Sequence, residues 1–103
     1  MNIIGNKYKI DLGMAKATLD IHSDSSLTFT IIEQNGNEVN VSETVKTKIV
    51  ELRPSLFQVT WKEENGKTIT QIQDYENEII YSNVTLPNGQ FINLKGTIKQ
   101  ADK

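Results

Sequence analysis

The sequence predicts a single all-β domain, an antiparallel up-and-down barrel of eight or nine strands. Turn signals recur at near-regular intervals: Ser23-Asp24-Ser25, Asn35-Gly36, Arg53-Pro54-Ser55, Asn65-Gly66, Glu76-Asn77 and Asn88-Gly89. Between them, β-branched and aromatic residues alternate with polar ones, the period of a half-buried strand. No segment carries a helical period, and no long crossover interrupts the series, which favours a meander closed on itself.

The elements follow in order. Strands are expected near 7–12, 15–22, 27–33, 37–43, 46–52, 56–64, 67–75, 78–86 and 90–99. Three-residue loops in the N-terminal half place Ala17, Leu19, Ile21, Leu27, Phe29, Ile31, Val39 and Val41 on one face. Asn37 to Leu52 contains no Gly or Pro, yet its apolar phase passes from Val39 and Val41 to Val50 and Leu52. A bulge or bend near Thr44 to Lys46 would produce that change.

Asn-Gly is a strong two-residue hairpin signal because both residues tolerate positive φ. With Asn65-Gly66 as such a loop, Glu63 faces Thr68, Trp61 faces Thr70, Val59 faces Ile72 and Phe57 faces Asp74. Gln58, Thr60, Lys62, Gln71 and Gln73 then point outward. Glu76-Asn77 as the next loop brings Ile79, Tyr81 and Asn83 inside, and Asn88-Gly89 adds Ile92, Leu94, Gly96 and Ile98. Tyr81 then lies opposite Gly96, an aromatic ring covering a strand glycine. The expected core is Trp61, Val59, Leu19, Phe29, Ile72, Leu94 and Ile98.

Size and composition bound the function. The 103 residues form one domain, 1–103. A chain of this size buries roughly 65% of its unfolded surface and so can own a core. There is no cysteine, which removes disulfides and thiolate metal sites and points to a cytoplasmic protein. Met1 to Asp11 lacks the apolar run of a signal peptide, and nothing resembles a membrane span. The net charge is −2 with both signs interspersed, so neither a nucleic-acid nor a membrane partner is expected.

The expected inner face is unusually polar, with Glu63, Asp74, Tyr81 and Asn83 beside Trp61. Such groups are tolerated at a barrel mouth or around water or ligand. Asp74 reads as a solvated rim residue, and Glu63 as either a rim or a pocket carboxylate. His22, the only histidine, reads as a surface residue, and Ser23, Ser25 and Ser26 as a turn cluster. With no inward histidine, a Ser-His-Asp site has no base. No phosphate loop or dinucleotide fingerprint is present. No metal and no cofactor are expected.

The run Leu56-Phe57-Gln58-Val59-Thr60-Trp61-Lys62-Glu63, with Asn65-Gly66, Thr68-Ile69 and Asp74-Tyr75, resembles the core of the MoaF-like small barrels. These are lipocalin-like (calycin) proteins. Leu86-Pro87-Asn88-Gly89-Gln90-Phe91 and Leu94-Lys95-Gly96-Thr97 fit the same pattern, so the resemblance spans about Tyr8 to Lys99. It implies fold more than chemistry.

The Trp-x-Glu strand is also similar to bacterial phenolic acid decarboxylases, which share the barrel. That similarity implies a role for Glu63 and for Tyr8. It also asks for a second tyrosine where Ile10 stands and an arginine near Asn40. The substrate-carboxylate clamp is thus missing, and turnover of hydroxycinnamic acids is not expected.

The sequence therefore reads as a non-catalytic small-molecule-binding barrel. Glu63, Trp61, Tyr81, Asn83 and Tyr8 are the candidate ligand-binding residues, and no residue is assigned a catalytic role. The ligand is expected to be neutral or cationic and partly aromatic, since the inner face offers an anion no positive partner. A homodimer is compatible with this reading. Two alternatives stay open: an enzyme using Glu63 as acid or base with Tyr8 or Tyr81, and a protein-interaction domain with a filled barrel.

Overall fold

A computed structural model describes residues 1–101. Eight antiparallel strands close into a barrel in sequence order. They are β1 (Lys7–Asp11), β2 (Ala15–Ser23), β3 (Ser26–Gln34), β4 (Asn37–Arg53), β5 (Leu56–Lys62), β6 (Thr68–Asp74), β7 (Ile79–Thr85) and β8 (Phe91–Gln100). No helix occurs among the described residues.

The alternation expected for the N-terminal half holds. Ala17 pairs with Ile31, Leu19 with Phe29 and Ile21 with Leu27. The loops are shorter than expected, because Ser23 pairs with Ser26 and Gln34 with Asn37. Bulges after Ile21 and after Ile31 take up the extra residue, so the same side chains face inward. Asn35 (φ 52) and Gly36 (φ 81) both adopt positive φ, the requirement of a two-residue hairpin.

The two strands expected over 37–52 are one. The first half of β4, Asn37–Lys46, pairs with β3, and the second half, from Thr47, pairs with β5. There is no bulge at Thr44 to Lys46 and no change of phase. Val45, Thr47 and Ile49 share one inward parity, Val50 and Leu52 lie outside, and the irregularity falls between Glu51 and Arg53. Val41, expected inside, is 53% exposed. It lies where β4 has β3 as a neighbour but has run beyond its pairing with β5.

The main correction concerns β6 and β7. Trp61 pairs with Ile69, Val59 with Gln71 and Phe57 with Gln73, one residue away from the expected register. The Asn65-Gly66 connection is a longer turn. Gly66 N–H donates to the Glu63 carbonyl (2.9 Å), Glu63 N–H donates to the Lys67 carbonyl (2.8 Å), and only Gly66 has positive φ. This is a type I turn closed by a left-handed glycine, a three-residue loop. A slip of one residue exchanges the two faces of a strand. Ile69, Gln71 and Gln73 therefore face inward, while Ile72 and Asp74 face outward.

The β6–β7 register is as expected, with Asp74 opposite Ile79 and Ile72 opposite Tyr81. The exchange is therefore inherited by β7, where Ile80, Ser82 and Val84 point inward. Tyr81 is 45% exposed on the outer face, and Asn83 on that face bonds to Asn93. The last hairpin repeats the first slip. Leu86 N–H donates to the Gln90 carbonyl and Gly89 N–H to the Leu86 carbonyl, with Pro87 at the position a type I turn favours. The two slips cancel, so Ile92, Leu94, Gly96 and Ile98 face inward as expected.

Tyr81 pairs with Lys95 rather than Gly96, and the Lys95 ammonium lies 5.7 Å from its ring centroid. Gly96 has a different function. β1 closes the barrel against β8, from Tyr8 opposite Gln100 to Asp11 opposite Thr97. There the chain turns inward over Gly96, and a Cβ on that residue would stand 1.8 Å from the Asp11 carbonyl oxygen.

Because the strands alternate in direction, the β2–β3, β4–β5 and β6–β7 turns gather at one end with residues 1–6. That end is packed solid. Ile3, Tyr8, Ile21, Phe57, Ile80 and Ile98 are all 5% exposed or less. Tyr75 meets Tyr8 at 4.8 Å and Phe57 at 5.7 Å between ring centroids. Of the expected core, Trp61, Val59, Leu19, Phe29 and Ile98 are buried. Leu94 is half-buried on the inner face and Ile72 half-buried on the outer.

Candidate functional site

The opposite end, framed by the β1–β2, β3–β4, β5–β6 and β7–β8 connections, is open. It leads into a cavity of about 190 Å³. Ile10, Leu19, Phe29, Trp61, Ile69 and Leu94 are among the side chains that line it. An apolar void of ~150 Å³ accepts benzene, so this one has room for a substituted ring.

Of the five candidate residues, two line this cavity. Trp61 is 7% exposed and stacks on Phe29 with centroids 6.1 Å apart and planes 23° apart. Its indole Nε1–H donates to Glu63 Oε2 at 3.2 Å. Glu63 opens the β5–β6 loop at the mouth. Burial pushes its carboxyl above the ordinary value of 4.5, and the nearby Glu43 carboxylate adds to this. The indole bond and Lys67 pull the other way without cancelling the burial.

The other three lie elsewhere. Tyr81 and Asn83 are outside, through the register slip described above. Tyr8 is 1% exposed at the packed end, where its hydroxyl accepts from Asn6 Nδ2 at 3.4 Å and burial raises its pKa. The barrel core thus stands between Tyr8 and the mouth that Glu63 frames. His22 is on the surface as expected, its Nε2 within 2.7 Å of Thr28 Oγ1. Asp74 is also solvated, accepting from the backbone N–H groups of Glu76 and Asn77. Those bonds and the Asn77 amide hold its carboxyl below the usual range.

The polar groups inside the barrel are ones that the expected register turned outward. Gln71, Gln73 and Ser82 are 3%, 0% and 2% exposed. They form a chain that starts at the packed end. Tyr75 O–H donates to Gln73 Oε1 (2.6 Å), Gln73 Nε2 donates to Gln71 Oε1 (2.9 Å), and Gln71 Nε2 donates to Ser82 Oγ (3.4 Å). Gln71 and Ser82 both reach the cavity. Pro87 is the sequence signal that could have revealed them, since proline before Asn88-Gly89 marks a type I turn rather than a two-residue hairpin. The chemistry points the same way, because buried amides can satisfy each other whereas an inward Asp74 carboxylate could not.

Among the described residues, no three His, Cys, Asp or Glu side chains stand together to hold a metal. No helix among them is long and apolar enough to cross a membrane.

The fold and the site define a small closed antiparallel β-barrel, packed at one end and open to a cavity at the other. The chain belongs to the MoaF-like family, whose model matches residues 4–99. It is similar in fold to a Burkholderia vietnamiensis protein whose crystal structure is described as that of a "putative beta-lactamase". The TM-score is 0.88 at 15% identity, covering 98% of this chain and 97% of the other. No curated protein matches the chain.

Proposed function

We propose that this protein is a non-catalytic binder of a small, neutral, partly aromatic molecule held in the mouth of the barrel. The observation that carries the reading is the cavity itself: an apolar chamber of about 190 Å³ in the open half of a barrel whose other half is filled. Apolar pockets with a few placed polar groups are the usual form of small-molecule sites. Glu63 and Lys67 stand together at the mouth, so their charges offset each other and a charged ligand gains little. The indole edge and the Glu63 carboxylate offer a ligand one apolar wall and one acceptor.

Catalysis by Glu63 has less support, because neither Tyr8 nor Tyr81 reaches the cavity to act with it. Lactam hydrolysis by a serine enzyme has none, since the sequence contains no Ser-x-x-Lys.

The test uses the single tryptophan. Small neutral aromatics titrated against Trp61 emission should give saturable changes, and Glu63→Gln should alter the affinity of those that reach the mouth. Emission unchanged by every compound up to its solubility limit would refute the reading. Saturable changes indifferent to Glu63→Gln would remove Glu63 from the site.

A further inference from the structure

The polar chain in the barrel has a direction, and the direction specifies which end of a ligand goes in first. Burial raises the Tyr75 phenol well above its ordinary value, so the hydroxyl keeps its proton. That proton goes to Gln73 Oε1. Gln73 then presents its amide N–H to Gln71, whose carbonyl is occupied in turn, leaving the Gln71 NH₂ group to face Ser82. A side-chain amide carries two donor protons and a hydroxyl one. Ser82 Oγ accepts from Gln71, and its own proton meets no side-chain acceptor among the described residues. The second Gln71 proton is in the same position. Each link hands its acceptor to the neighbour nearer the packed end and its donor to the neighbour nearer the cavity. The polar patch at the cavity wall is therefore made of donors.

We propose that the cavity selects neutral molecules that bury a carbonyl oxygen (ketone, aldehyde, ester or amide) against Ser82 Oγ and Gln71 Nε2, with the apolar remainder toward Trp61 and Leu94. This rests on the ligand-binding reading above and adds the chemical class. A hydrocarbon of the same shape leaves both donors without an acceptor in a place water reaches poorly, and an unmade buried hydrogen bond is more costly than a made one is favourable. A carboxylate would satisfy the donors but would carry an uncompensated charge through an apolar chamber. A carbonyl satisfies them without charge.

Acetophenone and α-methylstyrene provide the test, because they differ in C=O against C=CH₂ at nearly the same volume. Each is titrated into the ¹⁵N-labelled protein, following the Trp61 indole and the Gln71 and Gln73 side-chain amide resonances. Acetophenone should bind about tenfold more tightly, the size of one buried hydrogen bond. It should move the Gln71 amide, and the labelled carbonyl carbon of the bound ketone should lie downfield of its position in an aprotic apolar solvent. Ser82→Ala should remove most of the preference. The wild-type ratio and the carbonyl shift decide the matter even if that variant does not fold. Equal affinities in the wild-type protein overturn the carbonyl preference and leave the binding reading standing. If neither compound moves the Trp61 resonance up to its solubility limit, the binding reading falls and the preference falls with it.

Discussion

Gly96→Ala should be among the most destabilising single-methyl changes available to this chain. The added Cβ would lie 1.8 Å from the Asp11 carbonyl oxygen, 2.8 Å from its carbon and 3.0 Å from Leu12 Cα. All three are backbone atoms, so no rotamer change relieves the contact and the seam between β1 and β8 must move apart. Overpacking that side chains can absorb costs about 1–3 kcal/mol. Here the loss of one or two seam hydrogen bonds adds about 1 kcal/mol each. The expected total of about 3–4 kcal/mol is a large share of the ~5–15 kcal/mol that holds a domain of this size. Urea unfolding followed by Trp61 emission reads it directly. With a slope of ~1–3 kcal/mol per molar, the midpoint should fall by about 1 M or more. A loss below about 1 kcal/mol would show that the inward turn of β1 over Gly96 does not exist as described.

Further expectations concern the interior and the mouth. Glu63 has a pKa raised by burial, so the folded state holds its proton more tightly than the unfolded state does. Its contribution is therefore present at acid pH and is lost as pH rises from the ordinary value of 4.5 through the higher folded-state value. Glu63→Gln should flatten the stability–pH curve in that window, measured by urea midpoints at closely spaced pH values, and an unchanged curve would place the carboxylate in free solvent. Gln73→Leu strips the partner from both the Tyr75 hydroxyl and the Gln71 carbonyl. It should cost about 2–4 kcal/mol by thermal or urea unfolding, and a neutral result would mean the chain is not formed. Hydroxycinnamic acids should not be decarboxylated even at high protein concentration. The decarboxylase resemblance asks for an arginine near Asn40, where the chain has none, and Tyr8 is sealed at the packed end away from Glu63. Turnover well above background would contradict the separation of those two residues.

The barrel was legible because its evidence is redundant: turn residues and alternation agree at nearly every strand, and either alone would suggest the closed meander. Register has no such redundancy. Asn-Gly serves a two-residue loop at Asn35-Gly36 and a three-residue loop at Asn65-Gly66, and the dipeptide cannot distinguish them. What distinguishes them is the neighbourhood, such as Pro87 ahead of Asn88-Gly89. β4 was misread for another reason: strands of 17 residues are rare, and Val50 and Leu52 are apolar residues on an outer face. Trp61 and Glu63 line the cavity because β5 faces inward as expected. Gln71 and Ser82 were missed because their faces were exchanged. Tyr8 faces inward, but only the depth of a side chain along the axis separates core from cavity, and alternation carries no information about depth.

The two three-residue loops that flank the β6–β7 hairpin also say something about how the cavity could change over time. The hairpin sits between two single-residue offsets that cancel, so its own turn and its neighbours are indifferent to which of its faces is turned in. Losing one residue from each flanking loop would present Thr70, Ile72 and Tyr81 to the interior in place of Gln71 and Ser82, while β5, β8 and the seam kept their positions. A lineage could in this way replace a donor-lined chamber with an aromatic one through two short deletions, together with replacement of Asp74, whose carboxylate the exchange would bury. Loop length at Glu63–Lys67 and Leu86–Gln90, more than identity at the cavity wall, is then the first feature to compare among relatives when asking whether they bind the same kind of molecule.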